Sequence, residues 1–262
     1  MIELRNGSAR AFIRPDFGGR IVSLEFDGRE YLADGGRTEG DPWRGGSYPL
    51  APWAGTLPQG WVVADGHRTD IPRCANGDLK HGYVNTMAWK VVHLAQSRVE
   101  LRCDVDSAGP WSGVCRQSVE LAPDRLRIEL EYRAVGDVPV GLGFHPWFSR
   151  EDDGSLPRLT FTPGRRIISD DEGNEIETSQ IASTPRDDLY RADGSAPRIE
   201  WHDGRRLEVH SDAQVWVVYE RDPLGLCVEP WTHTPAEFVA GRTPAVDGAP
   251  ARLTMELVWP TA

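Results

Sequence analysis

Two histidines and one carboxylate stand out for what surrounds them. His145 lies in "GFHPWF", His81 in "LKHGYVNTMAW" and Glu229 in "CVEPWTHTPAEF". Each sits among aromatic rings, and His145 and Glu229 directly precede a proline. A residue before proline is pushed into extended backbone, and the proline gives no N–H to a ladder. Such residues tend to lie where strands end and pockets open. A histidine facing a carboxylate across a small molecule makes an acid–base pair. Imidazolium, with a free pKa of about 6.5, donates a proton at neutral pH, and a carboxylate accepts one. Rings such as Trp147 and Trp231 would desolvate Glu229, raise its pKa and make it a better base. Trp and Tyr also present flat apolar faces that suit the C–H face of a sugar, with a polar tip for its hydroxyls. Taken singly, each feature has an ordinary reading, a packed histidine or a Glu-Pro turn. The functional reading rests on the three together, in a chain with ten tryptophans.

Other chemistries find little support. Cys74, Cys103, Cys115 and Cys227 show no C-x-x-C spacing and no histidine pattern of a zinc site, so no metal is expected. Cys227 would share the strand face of Glu229 and reads as small buried filler rather than a nucleophile. His233, in "WTHTP", reads as a turn or rim residue. No Gly-rich phosphate loop is present, no cofactor is expected, and proton transfer alone remains. The net charge of −11 and pI of about 5.1 exclude nucleic acid and anionic membrane as partners. The only lysines are Lys80 and Lys90, and the arginines are scattered. The N-terminus is charged from its third residue, and no apolar run could span a bilayer. A cytoplasmic protein with reduced thiols is the expectation.

The elements that must position these residues are strands. "RVELRCDV" (98–105), "RLRIELEYRAV" (125–135) and "ARLTMELVW" (251–259) alternate apolar and charged residues with period two, the mark of half-buried antiparallel strands. Glycine and proline punctuate the chain throughout, and no window offers an amphipathic helix of normal length. "TPAEFVAG" reads as one short turn of helix. "SREDDGSLP" and "ISDDEGNEIETSQ", acidic and turn-rich, read as surface loops. Many short strands point to a large sandwich or barrel. With no repeat and no linker, 1–262 is expected to be a single all-β domain.

Four ordered motifs, "YPLAPWAG", "HGYVNTMAW", "GLGFHPWF" and "CVEPWT", resemble those of the aldose 1-epimerase (galactose mutarotase-like) family, and "FGGRIVSLEFDGREYL" is similar to the way such chains begin. The resemblance runs over nearly the whole length. It implies a large twisted antiparallel β-sandwich, the galactose mutarotase-like supersandwich, with a monosaccharide bound in a cleft on one sheet face. It also implies a cofactor-independent isomerase. Glu229 would take the proton of the anomeric C1 hydroxyl and His145 would protonate the ring oxygen. His81 would hydrogen-bond the sugar near the reacting centre, and Asp187, in "TPRDDLY", would hold a sugar hydroxyl. Asp188, one residue on, is the competing match, and an exposed Asp in a turn is the ordinary reading there.

One departure concerns binding. The family commonly reads Pro-aromatic-Ala-Asn-Arg where this chain has Pro52 to Thr56, so Gly55 and Thr56 replace the Asn and Arg. Asn85 stands where many relatives carry another arginine. Neither replaces the fixed donors and charge of a guanidinium. Arg44 or Arg73 could substitute from elsewhere in the chain. The loss leaves open a non-catalytic sugar-binding protein on the same fold and argues against a hexose-6-phosphate epimerase. A glycosidase would want two carboxylates, where the motifs offer one opposite a histidine.

Overall fold

The computed structural model describes residues 1–33, 41–73, 77, 79–106, 108–169, 174–180, 182–243 and 249–259. Two large antiparallel sheets dominate it, one of eleven strands and one of eight, with a separate hairpin of Trp61–Ala64 and His67–Asp70. The alternating segments form the strands their pattern predicts. Arg98–Val105, Gly113–Leu121, Arg125–Ala134 and Ala251–Val258 lie side by side in the eight-stranded sheet. Their apolar positions, among them Leu101, Val119, Ile128, Leu130 and Met255, face the other sheet in one continuous core.

In the eleven-stranded sheet the strands Ser47–Leu50, Gly143–Ser149, Gly225–Trp231, Val215–Tyr219 and Asp187–Arg191 are successive neighbours. Pleating sends alternate side chains to opposite faces. Phe144, Phe148, Leu226, Val228 and Val218 enter the core between the sheets. Burying each is worth roughly 1.5–3 kcal/mol, which fixes the register of the strands. Tyr48, Trp147, Val217, Cys227 and Trp231 stand on the other face. That face carries the candidate site.

"TPAEFVAG" forms a five-residue helix, Pro235–Val239, capped by Thr234 and Glu237 in a reciprocal capping box. Among the described residues no helix is long and apolar enough to cross a membrane. One expectation is corrected. Part of the acidic stretch taken for surface loop is sheet, since Arg166–Ser169 pairs antiparallel with Glu175–Thr178. Neighbouring elements satisfy that edge: Glu177 pairs with Arg191 at 2.8 Å, and Glu175 accepts from the N–H of Ala236. Cys74 lies outside the described residues.

Candidate active site

A cavity of about 630 Å³ opens on the outer face of the eleven-stranded sheet, lined by His81, His145, Trp147, Asp187, Glu229 and Trp231 among others. Glu229 and Trp231 come from one strand, and His145 and Trp147 from its neighbour. Their i, i+2 spacing places all four on one face. Every residue singled out in the sequence for this chemistry therefore reaches one hollow.

Glu229 Oε1 stands 3.4 Å from His145 Nε2, and the Trp231 indole N–H donates to Glu229 Oε2 at 3.2 Å. Both members of the pair are buried. Burial pushes the Glu229 carboxyl up to about 8, the Trp231 bond and the Lys80 charge offsetting it only in part. Burial likewise holds His145 well below the usual histidine range, helped by the nearby His81, Lys80 and Arg20. This corrects the expectation of an imidazolium at its free pKa. Each group is driven toward its neutral form, and at neutral pH the pair holds one shared, exchangeable proton.

The imidazole of His145 is held by two rings. It lies 4.9 Å from the Tyr48 ring and 5.3 Å from that of Trp147, within 7° of parallel to the latter. Trp147 and Trp231 are themselves almost fully buried, at 3% and 4% exposure, so they act first on the acid and the base. The guanidinium of Arg20 stacks 4.2 Å over Tyr48 and bonds the carbonyls of Pro42, Arg44 and Gly45. Burial lowers Arg20 to about 10. This buried cation ties the segment carrying Trp43 and Arg44, one wall of the cavity, to the aromatic stack. Nothing in the local sequence around Arg20 signals that role.

His81 is placed by backbone geometry. It adopts a left-handed φ of 60°, and the following Gly82 has φ 69°. A Cβ on Gly82 would meet the Ala51 carbonyl oxygen at 2.0 Å. The N–H of His81 donates to Gly55 O, and the Gly55 N–H donates to His81 Nδ1 at 3.1 Å. The ring proton therefore resides on Nε2. Burial drives His81 down to about 3, so it stays neutral. It packs edge-on to His145 at 5.3 Å.

His233 is no rim residue. It is fully buried behind the Pro52–Thr56 turn, where its Nε2 accepts from the Ala54 N–H at 3.4 Å and its Nδ1 lies 3.0 Å from Thr232 Oγ1. Gly141 makes room for it, since a Cβ there would sit 2.0 Å from the ring. His81 and His233 thus accept consecutive backbone N–H groups from opposite sides of the turn.

Asp187 faces the cavity, while Asp188 turns to the other face and pairs with Arg166. Arg44 lines the cavity in a 2.6 Å pair with Asp222, and Arg73 bonds the Gly77 carbonyl and does not line it. Asn85 is buried, and neither polar atom of its side chain has a partner. Lys80, not singled out as a site residue in the sequence, lines the cavity with its Nζ 5.5 Å from the Trp43 ring. It makes no salt bridge with a described carboxylate. As one of two lysines and the residue before His81, it could have been noticed. Trp43, Tyr219 and Asp222 complete this wall; their own segments carry no motif.

The sequence model of one family, aldose 1-epimerase, matches residues 1–246. No match was found among curated proteins. Among solved structures, a protein from Escherichia coli K12, whose name offers it as a proposed aldose 1-epimerase, aligns over 98% of both chains with TM-score 0.83 and 20% identity. A galactose mutarotase-like protein from Clostridium acetobutylicum covers 99% of this chain and 95% of its own (TM-score 0.79, 16% identity). A GalM/aldose epimerase homologue from C. elegans covers 99% and 98% (TM-score 0.75, 16% identity). At these identities the likeness is one of fold.

Proposed function

The chain belongs to the aldose 1-epimerase family, and from that premise we propose that it interconverts the α and β anomers of a free aldose without a cofactor. The observation that carries the reading is the buried contact between His145 and Glu229 at 3.4 Å, opening on a cavity that takes a small molecule. A binding protein has no use for an acid and a base held together at such a desolvation cost.

A sugar whose C1 hydroxyl and ring oxygen enter between the two groups reacts with the tautomer in which the shared proton has moved from Glu229 to His145, so that it meets a carboxylate and an imidazolium. Glu229 takes the hydroxyl proton, His145 gives its proton to the ring oxygen, and the C1–O5 bond breaks to give the open aldehyde. Rotation about C1–C2 exposes the other carbonyl face. On closure O5 returns its proton to His145, and the former carbonyl oxygen takes one from Glu229. No net proton is gained or lost. Each positioned group is worth about 10²–10⁴ in rate. His81 Nε2–H donates to the sugar beside the reacting carbon, and Asp187 accepts from a hydroxyl farther along. Lys80 supplies donors at the wall where Gly55 and Thr56 leave none of arginine type.

Polarimetry on freshly dissolved α-glucose, galactose, xylose, arabinose and rhamnose tests this. The expected result is faster equilibration of at least one sugar with the wild type than with Glu229→Gln. If none equilibrates faster and one still raises the melting temperature, the protein binds sugar without turning it over.

A further inference from the structure

Beside the acid–base pair lies a third donor that proton transfer does not use. Cys227 is buried two residues before Glu229 on the same strand face, and its strand neighbour across the ladder is Trp147. The Cys227 thiol sulfur, one His145 nitrogen and one Glu229 carboxylate oxygen all lie within 4.8 Å of one another. The 3.4 Å between Glu229 Oε1 and His145 Nε2 matches the separation of two donors on one tetrahedral ion, roughly 3.3 Å for two bonds of about 2.0 Å. Tyr48 and Trp147 hold the imidazole plane in place, so that part of the set is preorganised. The sulfur needs to move by only about 1 Å to complete a trigonal face.

We propose that His145, Cys227 and Glu229 form a binding site for a thiophilic divalent cation of the zinc, cobalt or cadmium type, and that the cation silences the acid–base pair when bound. His145 and Glu229 line the cavity and Cys227 is buried beside them, so a fourth position would face the cavity, the arrangement of an open zinc site. The thiolate selects against magnesium and calcium, which prefer oxygen shells. Asp41 and Asp187 line the cavity of this acidic protein and favour entry of a cation against the charge of Lys80, while Asp222 is paired with Arg44. Binding at neutral pH expels two protons to solvent, the thiol proton as the metal–sulfur bond forms and the proton His145 and Glu229 share as both become ligands, so affinity rises with pH. With the lone pair of His145 and the charge of Glu229 committed to the ion, neither group can exchange a proton with a sugar. Inhibition rests on the epimerase reading; binding does not.

The experiment is titration of the full-length protein with Co²⁺, followed by absorbance, beside Zn²⁺ inhibition of anomer exchange. Expected are a stoichiometric thiolate-to-cobalt charge-transfer band in the near ultraviolet that Cys227→Ala abolishes, and Zn²⁺ inhibition that the same variant weakens at least ~10-fold at an unchanged metal-free rate. Should the alanine variant fail to fold, the near-isosteric Cys227→Ser must abolish the band equally, because a hydroxyl gives no such transition. A wild type without the band, or a band of equal strength without Cys227, overturns the proposal. A Cys227-dependent band in a protein that turns over no sugar keeps the metal site and removes only the epimerase reading.

Discussion

The two large sheets each carry a hollow on their outer face, and the two hollows differ in what was done with charge. On the eight-stranded sheet a hollow of about 410 Å³ is lined by Arg98, Glu100, Arg116, Glu129, Glu131 and Arg252 among others. Its charges are exposed and paired in the open: Arg252 with Glu131 at 2.9 Å and Arg98 with Glu100 at 3.0 Å, with side chains 72% and 29%, and 45% and 41%, exposed. Such pairs are screened by water and worth about 0–1 kcal/mol each. On the eleven-stranded sheet His81, His145 and Glu229 sit at a few per cent exposure, packed among rings, with pKa values driven from their ordinary range. Concavity alone does not make a site. A desolvated proton donor and acceptor in contact do, at a cost in stability that only a function would sustain.

That contrast can be broken most sharply in the rates. Glu229→Gln and His145→Asn should each lower enzyme-catalysed anomer exchange by at least ~100-fold, while Arg116→Ala and Arg252→Ala leave it unchanged. Equal losses in both hollows would contradict the contrast.

Stability should move the opposite way. The folded pKa of Glu229, about 8, lies above its ordinary 4.5. Its contribution is therefore fully present below about 4.5 and declines as pH rises toward 8, where the folded state must give up a proton the unfolded chain has already lost. Glutamine keeps an acceptor for the Trp231 N–H and carries no such penalty. Glu229→Gln should be more stable than wild type by roughly 2–4 kcal/mol at pH 8, shrinking toward zero near pH 4. Urea unfolding at the two pH values measures it.

A smaller effect is expected at the cavity wall. Lys80→Met keeps the stem against Trp43 but removes the donors, and should raise KM by about 3–10-fold with little change in kcat, as for a lost hydrogen bond to substrate. The smallest is in the other hollow, where Arg116→Ala should shift stability by no more than ~0.5 kcal/mol. Thermal melts check this, and a larger shift would mean the outer lattice is more than a solvated face.

The parts of the fold legible in the sequence are those where one strand face meets water. "RLRIELEYRA" alternates because Arg127, Glu129 and Glu131 point outward while Leu126, Ile128 and Leu130 enter the core. The strand Gly143–Ser149 is buried on both faces over most of its length, so alternation vanishes and only residue types and the His-Pro step mark it. That His81, His145 and Glu229 come together was legible because histidine and glutamate are rare among rings. Which of Asp187 and Asp188 faces the cavity depended on the pleat, which a short strand with one polar pair does not declare. The acidic strand pair of Arg166–Ser169 and Glu175–Thr178 was misread because Arg191, the closer of the arginines paired with Glu177, comes from another strand. His233 was misread because the glycine that makes room for it lies on another strand connection. Arg20, whose partners are carbonyls of a distant turn, leaves no local pattern at all.

The most direct test of the central claim is NMR magnetisation exchange between α and β anomer signals of the best sugar, from pH 6 to 9.5, with the enzyme-free rate subtracted. The pair must hold its one shared proton to act, so the enzymatic rate should stay level through neutrality and fall as pH rises past about 8, where Glu229 loses the proton and His145 has none to give. Glu229→Gln should lower enzymatic exchange at least ~100-fold at every pH. An enzymatic rate that keeps climbing beyond pH 9, or one that stays near the wild-type level in Glu229→Gln, would contradict the assignment of catalysis to this pair.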